Sequence, residues 1–243
     1  VATGASTRFG SMPKFASFDT RGYPTVSPRD GYERWAPTYE ATIKPDMDTW
    51  LLDQLTSVRW SEMKRAADLG CGTGRTGEWL VRRGVKSVDG VDLTPAMLEH
   101  AERRGVFASL RVAEASATGL PGAAYDLVTT VLVDEHLDEL DSLYRESARL
   151  TRAHGVHVVV GFHPFFMMKT GMPTHFEELP GSPVAIATHV HLFSDHVRGA
   201  LAAGWSLAEM REQVVDERWI AQKPSWASQR DVPISFAFVW RRP

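Results

Sequence analysis

The residues richest in chemical possibility lie between Asp68 and Gly77. The segment Asp68-Leu69-Gly70-Cys71-Gly72-Thr73-Gly74 closes a short apolar run. Glycines at this spacing let the backbone approach a ligand closely. A helix starting just beyond would offer its free N–H groups to an anion. The glycines alone leave two readings open. Gly70, Gly72 and Gly74 give one spacing. Gly72, Gly74 and Gly77 give the Gly-x-Gly-x-x-Gly spacing of a dinucleotide site, as in an NAD-dependent oxidoreductase. Asp92 ends the next predicted strand, at an offset that suits a ribose diol in either reading. Asp68 separates them. Its carboxylate would repel a pyrophosphate, but it suits a ligand carrying an ammonium group and a sulfonium. Cys71 sits between glycines, where a small side chain suffices, and reads as a structural member of the turn.

Histidine is the natural general base at neutral pH. His136 follows the predicted fourth strand and His163 the fifth, at the sheet edge where α/β proteins bind ligands. His175 lies in the excursion that follows. These three are the candidate catalytic residues, and in the bland reading they are polar groups on a cleft rim. His157 alternates along the fifth strand as a core histidine would. His189 and His191 share a face if their stretch is extended. No cysteine or carboxylate stands near them at a ligand spacing, so no metal site is expected. Phe162, Phe165, Phe166, Met167, Met168, Met172 and Phe176 read equally as an acceptor pocket or as a lid packed on the sheet.

These groups need a frame. After residue 62 short apolar runs alternate with helical patterns: strands at 65–69, 87–92, 110–113, 125–132 and 155–161, and helices at 76–83, 95–104 and 137–150. Such alternation predicts a doubly wound, mostly parallel α/β sheet with helices on both faces. Residues 1–28 read as an N-terminal arm with spaced aromatics. Residues 29–62 read as a helical cap, with Tyr32, Trp35, Ala36 and Tyr39 at helical intervals, a break at Pro37 and a second helix from Pro45. The core runs over 63–243, with an irregular, lid-like insertion at about 162–190. Then come a helix at 194–203 capped by Ser194, a strand at 205–214 and a closing strand at 233–240.

Composition bounds the function. The chain has 243 residues and a formal net charge of -3, with no basic stripe to grip nucleic acid. Cys71 is the only cysteine, so no intrachain disulfide forms. No apolar run reaches the roughly 18 residues of a membrane span. A cytoplasmic protein, monomeric or homodimeric, is expected.

The turn from Asp68 to Gly74 resembles the first motif of the class I S-adenosylmethionine-dependent methyltransferases. Val91-Asp92-Leu93-Thr94-Pro95 resembles their next segment, whose acidic residue holds the ribose and whose following residue flanks the adenine. Ala113-Glu114-Ala115 resembles the third, with Glu114 where the family usually has Asp. Tyr125-Asp126-Leu127-Val128 resembles the fourth strand. Tyr32 to Tyr39 resembles an N-terminal aromatic segment of the small-molecule, ubiquinone-biosynthesis-like branch. The resemblance implies a Rossmann-like fold with a seven-stranded sheet and S-adenosylmethionine as cofactor. It implies cofactor contacts from Tyr39, Asp68, Gly70, Cys71, Gly72, Thr73, Gly74, Asp92, Leu93, Glu114, Ala115 and Val131. It also implies methyl transfer to a small-molecule acceptor, a secondary metabolite, by in-line displacement. The Asn/Asp-Pro-Pro-aromatic run of base and glutamine methylases is absent after the fourth strand. A protein that holds the cofactor without catalysis is the other reading.

Overall fold

The computed structural model describes residues 14–43 and 49–243. Ahead of the core stand a short 3-10 turn at Phe15–Ser17, β1 (Thr25–Val26), α1 (Pro28–Trp35), α2 (Tyr39–Thr42) and α3 (Thr49–Asp53). Ser27 caps α1 by accepting the Asp30 N–H, and Pro28 occupies the first turn, where a missing N–H costs nothing. Pro37 lies between α1 and α2, since its ring cannot continue the helix. The helix predicted from Pro45 is α3; its residues 45–48, and the arm's residues 1–13 with Phe9, lie outside the described residues.

The core begins with β2 (Ala66–Leu69), α4 (Arg75–Arg82), β3 (Val88–Asp92), α5 (Pro95–Arg104) and β4 (Ser109–Val112). It continues with β5 (Tyr125–Val131), α6 (Asp141–Leu150), β6 (Thr151–Phe162), α7 (Pro164–Thr170), β7 (His175–Leu179) and β8 (Ser182–Ile186). It ends with α8 (Phe193–Ala202), β9 (Ser206–Val214), α9 (Glu217–Gln222) and β10 (Pro233–Arg241).

Seven strands form the main sheet in the order β4-β3-β2-β5-β6-β10-β9. β4 to β6 run parallel, and β10 runs antiparallel to both of its neighbours. Every residue of β2 and β5 is buried, as expected of central strands covered on both faces. Side-chain alternation divides the two faces. Val156, Val158 and Val160 of β6 pack with Ala237 and Val239 of β10 beneath Leu51, Leu52, Trp79 and Leu80 of α3 and α4. Val159, Phe236, Phe238 and Trp240 face the other way, against Tyr144 of α6 and Ala200 of α8. The chain leaves β2 toward β4 and returns to β5 on the opposite side. That reversal opens a crevice at the carboxyl ends of β2 and β5, the usual place for a ligand. Among the described residues no helix is long and apolar enough to cross a membrane.

Four local expectations change. The helix predicted from 137 starts at Asp141, because the Glu139 carboxylate accepts the N–H groups of Asp141 and Ser142 at 2.7 and 3.2 Å. A 3-10 turn at Asp134–His136 precedes it, so residues 134–140 run along the crevice mouth. Ser194 does not cap α8; the helix starts at Phe193, and the Asp195 carboxylate accepts the Leu192 N–H at 2.9 Å. The excursion at 162–190 is not irregular. It holds α7 and an antiparallel hairpin, β7–β8, turned at Pro180-Gly181. β8 also pairs in parallel with β1, giving a separate sheet of order β1-β8-β7. Finally, residues 215–232, which carry no sequence assignment, hold α9 and a 3-10 turn at Pro224–Gln229.

Candidate functional site

The glycine turn is built at the end of β2. The N–H groups of Gly70 and Cys71 both reach the Val91 carbonyl, at 2.7 and 2.9 Å, so the backbone curls over β3 instead of extending the sheet. Gly70 makes the bend at φ +72°, with Val133 pressed against the place a β-carbon would take. Gly74 then serves as the N-cap of α4. Asp92 ties the turn to β3: one carboxylate oxygen accepts the Gly72 N–H at 2.8 Å, the other the Thr94 N–H at 2.9 Å. Burial pushes this carboxyl above its ordinary range, against the pull of the Thr94 and Gly72 N–H groups. A carboxylate has about four acceptor sites, so a vicinal diol can still be taken by the remaining lone pairs.

The turn opens on a cavity of about 830 Å³. One side is walled by Gly70, Cys71, Gly72 and Thr73, by Asp92 and Leu93, by Glu114 and Ala115, and by Val131. Tyr39 lies on the wall as well. Two expected residues do not. Asp68 is 1% exposed, and its carboxylate accepts the Thr129 hydroxyl at 2.7 Å, between β2 and β5. Gly74 stands one step behind the wall, packed toward Phe107 and Ala101. Asp68 therefore lies beneath the turn and off the cavity wall. Cys71 packs with Leu98 and Ala101, and burial, with Asp68 and Asp92 nearby, drives its thiol well up; this is the structural member that the sequence suggested.

The opposite side is apolar and aromatic. It includes Phe162, Phe166, Met167 and Met172, together with Trp35 and Trp226. Trp35 stacks on Phe176 of β7 at 5.6 Å and on Tyr32 at 5.9 Å, so α1 is seated on the hairpin through its rings. The cluster read as pocket or lid is both. Phe162, Phe166, Met167 and Met172 line the cavity, while Phe176 packs in the hairpin's own core.

The three candidate histidines part ways. His136 lines the cavity. Its Nδ1 is 2.9 Å from the Ala187 carbonyl, which only accepts, so Nδ1 carries the proton. Its Nε2 lies 2.9 Å from the Tyr32 hydroxyl, which therefore donates to it. His175 also lines the cavity; its Nδ1 donates to the Pro173 carbonyl at 2.8 Å, and Tyr23 of the arm packs on its ring at 5.4 Å. His163 is off the wall. Its Nδ1 accepts the Phe165 N–H at 3.1 Å, capping α7, and its Nε2 donates to Glu212 at 2.8 Å. Both ring nitrogens are committed to holding α7 on β9, which removes His163 as a base. His157 is a buried core histidine whose Nε2 meets the Thr130 hydroxyl at 3.1 Å, while its Nδ1 has no hydrogen-bond partner among the described residues. His189 and His191 stack at 6.4 Å. His189 faces Asp138 and His191 donates to the Leu137 carbonyl.

Three groups escaped the sequence reading. Tyr32 was visible as one aromatic of a helical series, but its bond to His136 spans 104 residues. Trp226 lies in a stretch with no periodicity. Arg104, at the end of α5, donates to the Thr73 carbonyl at 2.6 Å and pairs with Glu78 and Glu40 at 2.5 and 2.8 Å. It fastens the glycine turn to α2 and α4.

A sheet with this strand order, a glycine turn at its switch point and an acidic residue ending the next strand define a nucleotide-cofactor α/β protein. Comparison with known proteins narrows the class. Residues 67–159 match the methyltransferase domain family. The chain is 31% identical to a malonyl-[acyl-carrier protein] O-methyltransferase of Halorhodospira halophila over 69% of its own length and 56% of the relative's. It thus spans little more than half of that protein. It is 26% identical to a ubiquinone biosynthesis O-methyltransferase of Cupriavidus pinatubonensis over 86% of its length and 85% of the relative's. A solved S-adenosylmethionine-dependent methyltransferase from Mesorhizobium loti shares the fold with a TM-score of 0.64 at 20% identity, covering 80% of this chain and 96% of that one. Residues 67–159 thus form a methyltransferase domain, and the chain shares the fold of S-adenosylmethionine-dependent methyltransferases. The dinucleotide reading of the turn is thereby replaced.

Proposed function

We propose that this chain transfers the methyl group of S-adenosylmethionine to an oxygen of a small-molecule acceptor, a secondary metabolite with an apolar, ring-bearing body. The observation that carries the reading is the single cavity that joins the glycine turn and Asp92 to the aromatic wall with His136. A cofactor on one side and an acceptor on the other can meet there, as an in-line displacement requires. Both O-methyltransferase relatives support oxygen as the acceptor atom. The cofactor supplies the activated methyl group; the protein orients, desolvates and removes a proton.

In this reading Asp92 holds the ribose. Leu93, Glu114 and Ala115 surround the adenine, and Tyr39 covers the cofactor. Gly70 to Thr73 carry the amino-acid moiety, and Val131 backs it. His136 is the base, and His175 is a polar contact on the acceptor side. Transfer of a labelled methyl group to a panel of phenols, enols, carboxylates and amines tests the proposal. Silence across the panel, with S-adenosylmethionine still bound, would leave a cofactor-binding protein without catalysis. Asp92→Ala should weaken S-adenosylhomocysteine binding by about 1–3 kcal/mol, measured by calorimetry, because a buried acceptor of two hydroxyls is lost. His136→Ala should lower turnover by about a hundredfold or more while sparing that affinity. Wild-type turnover in this variant removes His136 as the base.

A further inference from the structure

The hydroxyl of Tyr32 stands where an acceptor's proton would have to go to reach His136. The His136 tautomer is set by the Ala187 carbonyl, which holds the Nδ1 proton, so Nε2 is the basic nitrogen. That nitrogen is already occupied by the Tyr32 hydroxyl at 2.9 Å. Tyr32 lines the cavity and meets the His136 ring edge-on at 5.3 Å. Behind Nε2, at 3.8 Å, lies Oε1 of Glu135, whose side chain is 2% exposed.

Resting on the methyl-transfer reading above, we propose that Tyr32 is a catalytic residue that relays the acceptor's proton to His136, with Glu135 as its buried counter-charge, and that the acceptor is a hydroxyl un-ionised at neutral pH, a phenol or enol. The atoms balance. The acceptor oxygen forms its bond to the methyl carbon as the carbon–sulfur bond breaks, and that electron pair returns to sulfur, leaving a neutral thioether. The acceptor's O–H proton passes to the Tyr32 oxygen while the Tyr32 proton passes to His136 Nε2. Tyr32 ends as a neutral phenol and His136 as an imidazolium, which later releases its proton to water.

Two properties fit a relay. Burial, with Tyr39, Glu135 and Asp92 nearby, holds the Tyr32 hydroxyl well above its ordinary range. The phenol therefore stays protonated and can pass a proton on only as it gains one. Burial also pushes the Glu135 carboxyl up, Asp134 adding to the effect and His136 opposing it. Such a carboxyl ionises most readily when its neighbour turns cationic, as His136 does on taking the proton. A carboxylate acceptor has no proton to give at neutral pH and gains nothing from the arrangement. An un-ionised hydroxyl needs it.

The test compares wild type, Tyr32→Phe and Glu135→Gln with three oxygen acceptors. These are a simple catechol, a nitrocatechol already ionised at the assay pH, and an aromatic carboxylate. Binding of S-adenosylhomocysteine serves as the check on folding. Tyr32→Phe should lose about tenfold or more in kcat with the catechol and stay within about threefold with the nitrocatechol, since a proton already gone needs no relay. Glu135→Gln should lower kcat with the catechol and leave KM unchanged. Equal losses with both catechols, no loss with either, or use of the carboxylate alone overturns the relay. Nitrogen-15 spectra of the histidines give a reading free of turnover. The relay requires His136 to be protonated at Nδ1, with an Nε2 signal that moves in Tyr32→Phe. A proton resting on Nε2 overturns it even if no acceptor is methylated, an outcome that would separately refute the methyl-transfer reading. If Tyr32→Phe fails to bind the product, fluorotyrosine at position 32 replaces it. A hydroxyl more acidic than tyrosine's should then change kcat with the catechol and spare the nitrocatechol.

Discussion

At Gly70 one backbone angle decides the shape of the cofactor turn. The residue sits at φ +72° with the Val133 side chain against its Cα hydrogen. An alanine there meets both a left-handed backbone and the side chain of Val133. Gly70→Ala should destabilise the fold by about 1–3 kcal/mol and weaken cofactor binding as well, since the turn cannot relax without moving Val133. Thermal unfolding and calorimetry measure the two effects; intact values for both would mean that the turn tolerates a side chain. The need for glycine was legible in the sequence, but its cause was not. Val133 lies 63 residues away in the chain and reaches Gly70 only through the pairing of β2 with β5. Asp68 shows the same boundary. Its position before the glycines was informative, yet its side chain turns to Thr129 in the neighbouring strand. No local pattern announces which side of a strand end a carboxylate takes.

Among the elements, α5 was read to the residue and the hairpin β7–β8 was not. α5 has Pro95 in its first turn and Gly105 in the left-handed conformation at its end, and its bounds match the expected 95–104. The hairpin β7–β8 has no such signal. Its strands are five residues each, carry two glutamates and one proline, and are stabilised by β1 and by the rings of α1. Arg104 makes a comparable long-range link. Removing it frees the Thr73 carbonyl and parts Glu40 of α2 from the turn. Arg104→Ala should raise amide hydrogen exchange at 39–42 and 71–76 and weaken cofactor binding by about 1–2 kcal/mol, given the charged hydrogen bonds lost. Exchange confined to α5 would show that the link carries no strain between elements.

For the molecule as a whole, the sheet's interior makes stability depend on acid. His157 and His196 are both fully buried, bonded to Thr130 and Tyr144, and burial holds their imidazoles down at about 3. An unfolded chain protonates these histidines near pH ~6.5. Below that pH the unfolded state binds more protons, so stability falls as pH drops from about 6.5 toward 3. Asp134 and Glu135 act in the opposite sense. Burial raises both, so the fold keeps protons that the unfolded chain has lost, and their contribution fades as pH rises through the carboxylate range. The two effects oppose each other at mildly acidic pH. Below about pH 4 the histidines are joined by carboxylates such as Glu209, held down to about 2 against burial by its hydrogen bonds from Ser57, and Asp89, whose contributions are also lost as they protonate. Urea unfolding against pH should show a shallow slope in the mild range and a steep loss beneath it. His157→Gln should flatten the steep limb; an unchanged limb would place the acid lability elsewhere.

The parallel pairing of β1 with β8 also sets an order of events during synthesis. Thr25 and Val26 must wait for Ala185 and Ile186, about 160 residues further along, before the acceptor wall can close. The cofactor cradle draws on residues 66 to 133, with Tyr39 and Glu40 already made, so it can assemble while the remainder is still on the ribosome. A nascent chain of this protein should therefore capture its cofactor before it has any place to receive an acceptor, and the first ligand would help template the second site.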